Sequence, residues 1–134
     1  MSIIELLHQK VDGLLYLSET EYPITPFDIT ATTAEEIPAL LAAYKQTEAQ
    51  FVKYISPETF FARFENYLAH GVPDEWMNNN ARAFLQLHYF LQEHFTQTLI
   101  YRIEKPGEAV MPIFFICKLN NGSFTGLQTT AVET

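Results

Sequence analysis

The chain is short of basic residues, of cysteine and of long apolar runs, and each shortage excludes something. Eight lysines and arginines stand against sixteen acids in 134 residues, a formal net charge of −8. Nucleic-acid backbones are gripped by clustered Lys and Arg. Here the bases are scattered singly, so no nucleic acid is expected as a direct partner. Cys117 is the only cysteine. It has no partner for an internal disulfide, which fits a reducing, cytoplasmic compartment. No apolar stretch approaches the ~20 residues that a spanning helix needs. Met1-Ser2-Ile3-Ile4-Glu5 has no basic opening and no cleavage pattern. Neither a membrane anchor nor a signal peptide is expected.

The familiar marks of catalysis are missing too. There is no Gly-x-Ser-x-Gly elbow, no phosphate-binding loop and no dinucleotide fingerprint. The histidines are His8, His70, His88 and His94, and no two form a His-x-x-x-His pair. Glu5 and His8 have a spacing found in some metal sites, but a site needs three or four convergent ligands. Cys117 sits mid-strand with nothing nearby in sequence to lower its pKa, so it reads as a buried structural thiol. No enzyme and no cofactor of its own are expected.

What is present is a core. Hydrophobic residues make up 48% of the chain and charged ones 18%, enough for one ordinary domain over residues 1–134. The acids are uneven. Residues 1–36 hold seven acids and one base, residues 37–80 five and three, and residues 81–134 four of each. That acidic beginning is either a solvated face or a surface steered toward a basic groove.

Periodicity supplies the elements. Ile3, Ile4, Leu7, Val11, Leu14 and Leu15 recur at helical spacing. Phe27–Thr33 reads as a strand or a strand-like loop, and 34–43 as a helix with Pro38 near its first turn. Phe51–Ile55 reads as a short strand. Ser56-Pro57 caps a helix that His70-Gly71-Val72-Pro73 ends. Asn78-Asn79-Asn80 reads as a second cap, ahead of the stripe Phe84, Leu87, Leu91 and Phe95. Thr98–Glu104, Val110–Leu119 and Ser123–Val132 read as three strands, the last two joined by Asn121-Gly122, a strong hairpin signal. Val110–Cys117 is apolar on both faces, so helices should cover both. The expected fold is α/β (α+β): a three-layer α/β/α sandwich with a largely antiparallel central sheet.

Three local features remain. Ser18-Glu19-Thr20-Glu21-Tyr22-Pro23 reads as a loop with two carboxylates, one of which is expected to enter a given pocket. Asp74-Glu75-Trp76 places the lone tryptophan in a loop, either as a lid on the core or as an interface anchor. Thr129–Thr134 carries a strand almost to the last residue, holding Thr134 near the sheet.

These features carry a resemblance. Asp12-Gly13-Leu14-Leu15-Tyr16-Leu17-Ser18-Glu19-Thr20-Glu21-Tyr22-Pro23 resembles the N-terminal signature of the nuclease A inhibitor family. Gly126-Leu127-Gln128-Thr129-Thr130-Ala131-Val132-Glu133-Thr134 resembles its C-terminal signature, and the Trp76 segment its acid–Trp loop. The resemblance implies a pathogenesis-related-protein-like sandwich. It also implies tight, non-covalent inhibition of a sugar-non-specific, magnesium-dependent nuclease of the ββα-metal class. Glu19 would stand in for the scissile phosphate, and Thr134 would bridge to the partner's Mg2+. Asp74, Glu75 and Trp76 would form a second contact; the family has aspartate where this chain has Glu75, and Asp74 lies beside it. The other reading from the residues is a non-enzymatic interaction domain of the same fold with a different partner, since fold does not fix function.

Overall fold

Helices begin where the sequence offers caps. The computed structural model describes residues 1–71 and 73–134. The Ser2 hydroxyl accepts the Glu5 N–H at 3.1 Å and opens α1 (Ile3–Val11). Ser56 does the same for Thr59 at 3.2 Å, with Pro57 in the first turn, and opens α3 (Pro57–His70). The Asp74 carboxylate accepts the Met77 N–H at 2.9 Å and opens α4 (Glu75–His94). The remaining helix, α2 (Ile37–Tyr44), has Pro38 in its first turn and follows a single 3₁₀ turn at Ala34–Glu36.

The strands form two sheets. A two-stranded ribbon joins β1 (Leu15–Leu17) to β2 (Glu21–Pro23). The main sheet holds β3 (Thr25–Phe27), β4 (Val52–Ile55), β5 (Gln97–Ile103), β6 (Val110–Lys118) and β7 (Phe124–Val132). Its order is β3-β7-β6-β5-β4, and every neighbouring pair is antiparallel. The fold is thus mixed α+β, with four α-helices among the described residues and an antiparallel sheet. The C-terminal meander matches the expectation, with Gly122 at φ +89° in its last turn.

Alternation along β6 feeds two apolar clusters. Met111, Ile113, Phe115 and Cys117 pack with Leu7 and Val11 of α1, Phe60, Phe61 and Phe64 of α3, and Phe84, Leu87 and Leu91 of α4. Phe114 and Ile116 pack with Ile37 and Leu41 of α2. Gly126 lets β3 close on β7: a Cβ there would lie 2.9 Å from the Phe27 ring and 3.0 Å from its carbonyl.

Four expectations need correction. Residues 18–23 are not a plain loop, because Glu21–Pro23 pairs back on Leu15–Leu17. Of the strand or strand-like loop expected at Phe27–Thr33, only Phe27 is in a strand, which runs Thr25–Phe27, where β7 offers partners. Beyond it, the Thr32 N–H and hydroxyl donate to Glu36 at 3.1 and 2.5 Å, which sets up the 3₁₀ turn and holds the Glu36 carboxyl below its usual range. Asn78–Asn80 do not cap: the acceptor of Asp74, four residues earlier, starts α4 first. Trp76 therefore sits in the first turn of α4 rather than in a loop. Val72, part of the expected stop after α3, lies outside the described residues.

Candidate functional site

Strands of three residues do not make a stable ribbon by themselves. The hairpin is held by what meets its edges. Tyr16 faces Tyr22, the Ile24 N–H donates to the Leu14 carbonyl at 3.3 Å, and the Ser18 N–H donates to the Thr20 carbonyl at 3.0 Å. Residues 14, 16 and 18 therefore turn their backbone toward the returning segment, and Leu15 and Leu17 turn theirs outward. Side chains meet three of the outward groups. Asn80 of α4 donates to the Leu15 carbonyl at 2.9 Å and accepts the Leu15 N–H at 3.5 Å. Arg63 of α3 donates to the Leu17 carbonyl at 3.0 Å and also to the Tyr16 phenolic oxygen. Its guanidinium lies 4.9 Å from the centre of the Tyr16 ring. Burial pushes the Tyr16 pKa up, and the Arg63 charge opposes that rise.

The tip is joined to the far end of the chain. The Val132 N–H donates to Ser18 Oγ at 2.9 Å, and the Glu19 N–H donates to the Val132 carbonyl at 3.0 Å. Ser18 and Glu19 thus occupy the edge of β7 beyond the end of β3. Two residues on, Thr134 Oγ1 donates to Glu19 Oε1 at 2.5 Å. Glu133, between them, is held from the other side. Its N–H donates to the Ala109 carbonyl at 2.9 Å, and its carboxylate lies 3.6 Å from Arg102, which also pairs with Glu104 at 2.9 Å. Glu19 and Thr134, 115 positions apart in sequence, form one exposed carboxylate–hydroxyl pair.

A family model described as nuclease A inhibitor-like protein matches residues 1–134, the whole chain. The chain belongs to that family. No curated protein matches it.

The other candidate residues lie elsewhere. Glu21 is exposed in β2, opposite Leu17. Asp74 is committed to capping α4, and Glu75 is exposed in its first turn. Trp76 is 51% exposed. It borders a shallow cavity of about 230 Å³ together with Lys10, Gly13, Leu14 and Asn79, which places it at the root of the hairpin. Among the described residues no hydrogen bond joins Asp74, Glu75 or Trp76 to Glu19 or Thr134.

Sequence reasoning missed Ser18, Arg63 and Asn80. Ser18 stood inside a recognised segment, but its hydroxyl had no visible partner. Arg63 and Asn80 carry no local signal, because their partners lie 46 and 65 positions away.

Two titratable groups outside the hairpin, Cys117 and His88, read as structural. Burial pushes the Cys117 thiol up to about 12, with a weaker opposing hydrogen bond from Thr98. His88 stacks on Phe61 with ring centres 4.3 Å apart, and its pKa is lowered by burial against the pull of Glu58 and Glu65. Among the described residues no three His, Cys, Asp or Glu side chains converge to hold a metal ion. Among the described residues no helix is long and apolar enough to cross a membrane.

Proposed function

We propose that this chain inhibits a sugar-non-specific, magnesium-dependent nuclease of the ββα-metal class by plugging its active site with the Glu19–Thr134 pair. Family membership supports a nuclease inhibitor. The observation that carries the finer reading is the 2.5 Å contact between Thr134 Oγ1 and Glu19 Oε1. Such a nuclease presents a cationic cleft with a hard metal, built to receive a phosphate. A carboxylate fixed at the phosphate position gains charge-assisted hydrogen bonds there.

The contact also sets the direction of the hydroxyl. Thr134 gives its proton to Glu19, so its lone pairs are left for another partner. That leaves an oxygen suited to a hard cation such as the nuclease's Mg2+. Both groups are pre-positioned by Val132, Ser18 and the strand pairing beneath them. Little ordering entropy is then lost on binding.

Glu21 and the other acids of residues 1–36 steer the protein toward a basic cleft. Asp74, Glu75 and Trp76 form a second contact at the root of the hairpin. Inhibition involves no proton transfer or covalent step, the protein is not itself an enzyme, and it acts in the cytoplasm without binding nucleic acid. The fold reading is a three-layer α/β/α sandwich of the pathogenesis-related type, supported by the two apolar clusters fed by β6.

Titration of such a nuclease, with Mg2+ present, against increasing amounts of this protein tests the proposal. Activity should fall to near zero at one equivalent. Full activity in large excess of the protein, across several nucleases of this class, would refute it.

A further inference from the structure

We propose that Arg63 and Asn80 are positioning residues that act as a side-chain third strand on the outer edge of the hairpin, and so fix where Glu19 presents its carboxylate. The inference rests on the reading of Glu19 as the decoy group. A strand edge with unpaired backbone groups is unstable in position. On β1, three of the outward groups, the Leu15 N–H and carbonyl and the Leu17 carbonyl, are met by one amide and one guanidinium, each anchored on a different helix.

The geometry resembles strand pairing in its spacing. Asn80 both donates and accepts at Leu15, as a paired residue would. Arg63 meets the next outward carbonyl, at Leu17, two residues along. The carbonyl held by Arg63 is the last one before Ser18-Glu19. Arg63 is itself held, with its guanidinium over the rings of Tyr16 and Phe64 at 4.9 and 5.5 Å. Among the described residues no hydrogen bond or ion pair joins either side chain to Glu19 or Thr134. Their effect on the pair passes through the ribbon, from Leu17 to Ser18 and on to the Val132 contacts. Arginine suits the role because its planar fork reaches two acceptors at once, which a lysine ammonium does with less directional control.

The test uses the whole protein and begins without a nuclease. Amide hydrogen exchange is followed by NMR in the wild type, Arg63→Met, Arg63→Lys and Asn80→Ala. Rates at Glu19 and Val132 are read relative to Phe115 in the core. The expected result is at least roughly tenfold faster relative exchange at the tip in Arg63→Met and Asn80→Ala, with Arg63→Lys in between. A variant that is only less stable overall speeds Phe115 and not the locally opening tip, so relative rates that stay unchanged or fall in all three would overturn the proposal.

The second arm measures dissociation from an inhibited nuclease. Arg63→Met should dissociate several-fold faster in a chain with Glu19 and no faster in one carrying Glu19→Ala, because the brace acts through that carboxylate. Equal acceleration in both backgrounds would overturn the link to Glu19. If tip exchange speeds as expected but Glu19→Ala inhibits like the wild type, the brace is supported and the decoy reading is the one that fails.

Discussion

Replacing Ser18 with alanine removes one oxygen from the surface and leaves the core intact. That oxygen accepts the Val132 N–H at 2.9 Å, on a residue that is half-buried. A lost neutral hydrogen bond costs about 0.5–1.5 kcal/mol, and more when the donor stays dry. Water can reach part of Val132, so the expected loss is about 1 kcal/mol. For 134 residues, the unfolding entropy near the midpoint is about 0.28 kcal/mol/K, which turns that loss into a fall in Tm of about 4 °C. The functional cost should exceed the thermal one. Glu19 keeps its backbone bond to Val132 but loses the neighbouring anchor, so the carboxylate samples more positions before binding. Inhibition should weaken by about tenfold, equivalent to about 1.4 kcal/mol. Calorimetric unfolding and nuclease titration of Ser18→Ala, run beside the wild type, read both numbers. A Tm shift under about 1 °C together with unchanged exchange at the Val132 amide would refute the strand-surrogate role of this hydroxyl.

Three further residues carry predictions in other parts of the molecule. Cys117, with its thiol pushed up to about 12 by burial from a starting value of 9.0, should resist iodoacetamide in the native state at pH 8; ready labelling without unfolding would contradict its burial. The unfolded chain releases this proton near pH 9 while the folded chain keeps it. Cys117 therefore contributes stability that is fully present below pH 9 and is lost as pH rises from about 9 toward 12, by at most about 1.4 kcal/mol per pH unit; denaturant midpoints across that range, compared with Cys117→Ala, check the sign. Asp74→Ala removes the cap of α4 and should cost about 1 kcal/mol of stability, seen as a Tm lowered by about 4 °C. Trp76→Ala, at a half-exposed position, should leave Tm within about 2 °C yet weaken inhibition by roughly tenfold if the hairpin root is a second contact; unchanged inhibition would confine the interface to the tip.

The main elements were legible because their signals are local. Ser56-Pro57 caps α3 through a hydroxyl three residues from its donor, and the alternation in Val110–Lys118 needs only the strand itself. The hairpin was not legible because its stability is not local. Leu15–Leu17 is too short to stand out as a strand, and the groups that hold it come from Arg63 and Asn80. The triple asparagine misled for a related reason. Asn78–Asn80 looks like a cap, but an N-cap is defined by the first available acceptor, and Asp74 precedes it. Asn80 is polar within α4 because the edge of β1 lies beside it. The family resemblance assigned Glu19 and Thr134 to one partner site, but nothing in the sequence put them side by side. Pairing of β7 with β6, and the reach of Ser18 to Val132, give it a physical basis.

The central claim is that Glu19 and Thr134 act as one binding unit. A double-mutant cycle of inhibition constants measures this directly, using Glu19→Ala, Thr134→Val and the double variant against one Mg2+-dependent nuclease. Each single change should weaken inhibition by roughly 2–4 kcal/mol, the range of interface hot spots. The double variant should lose clearly less than the sum, because either change already breaks the 2.5 Å pair. Wild-type inhibition by both single variants, or losses that add in full, would contradict the claim.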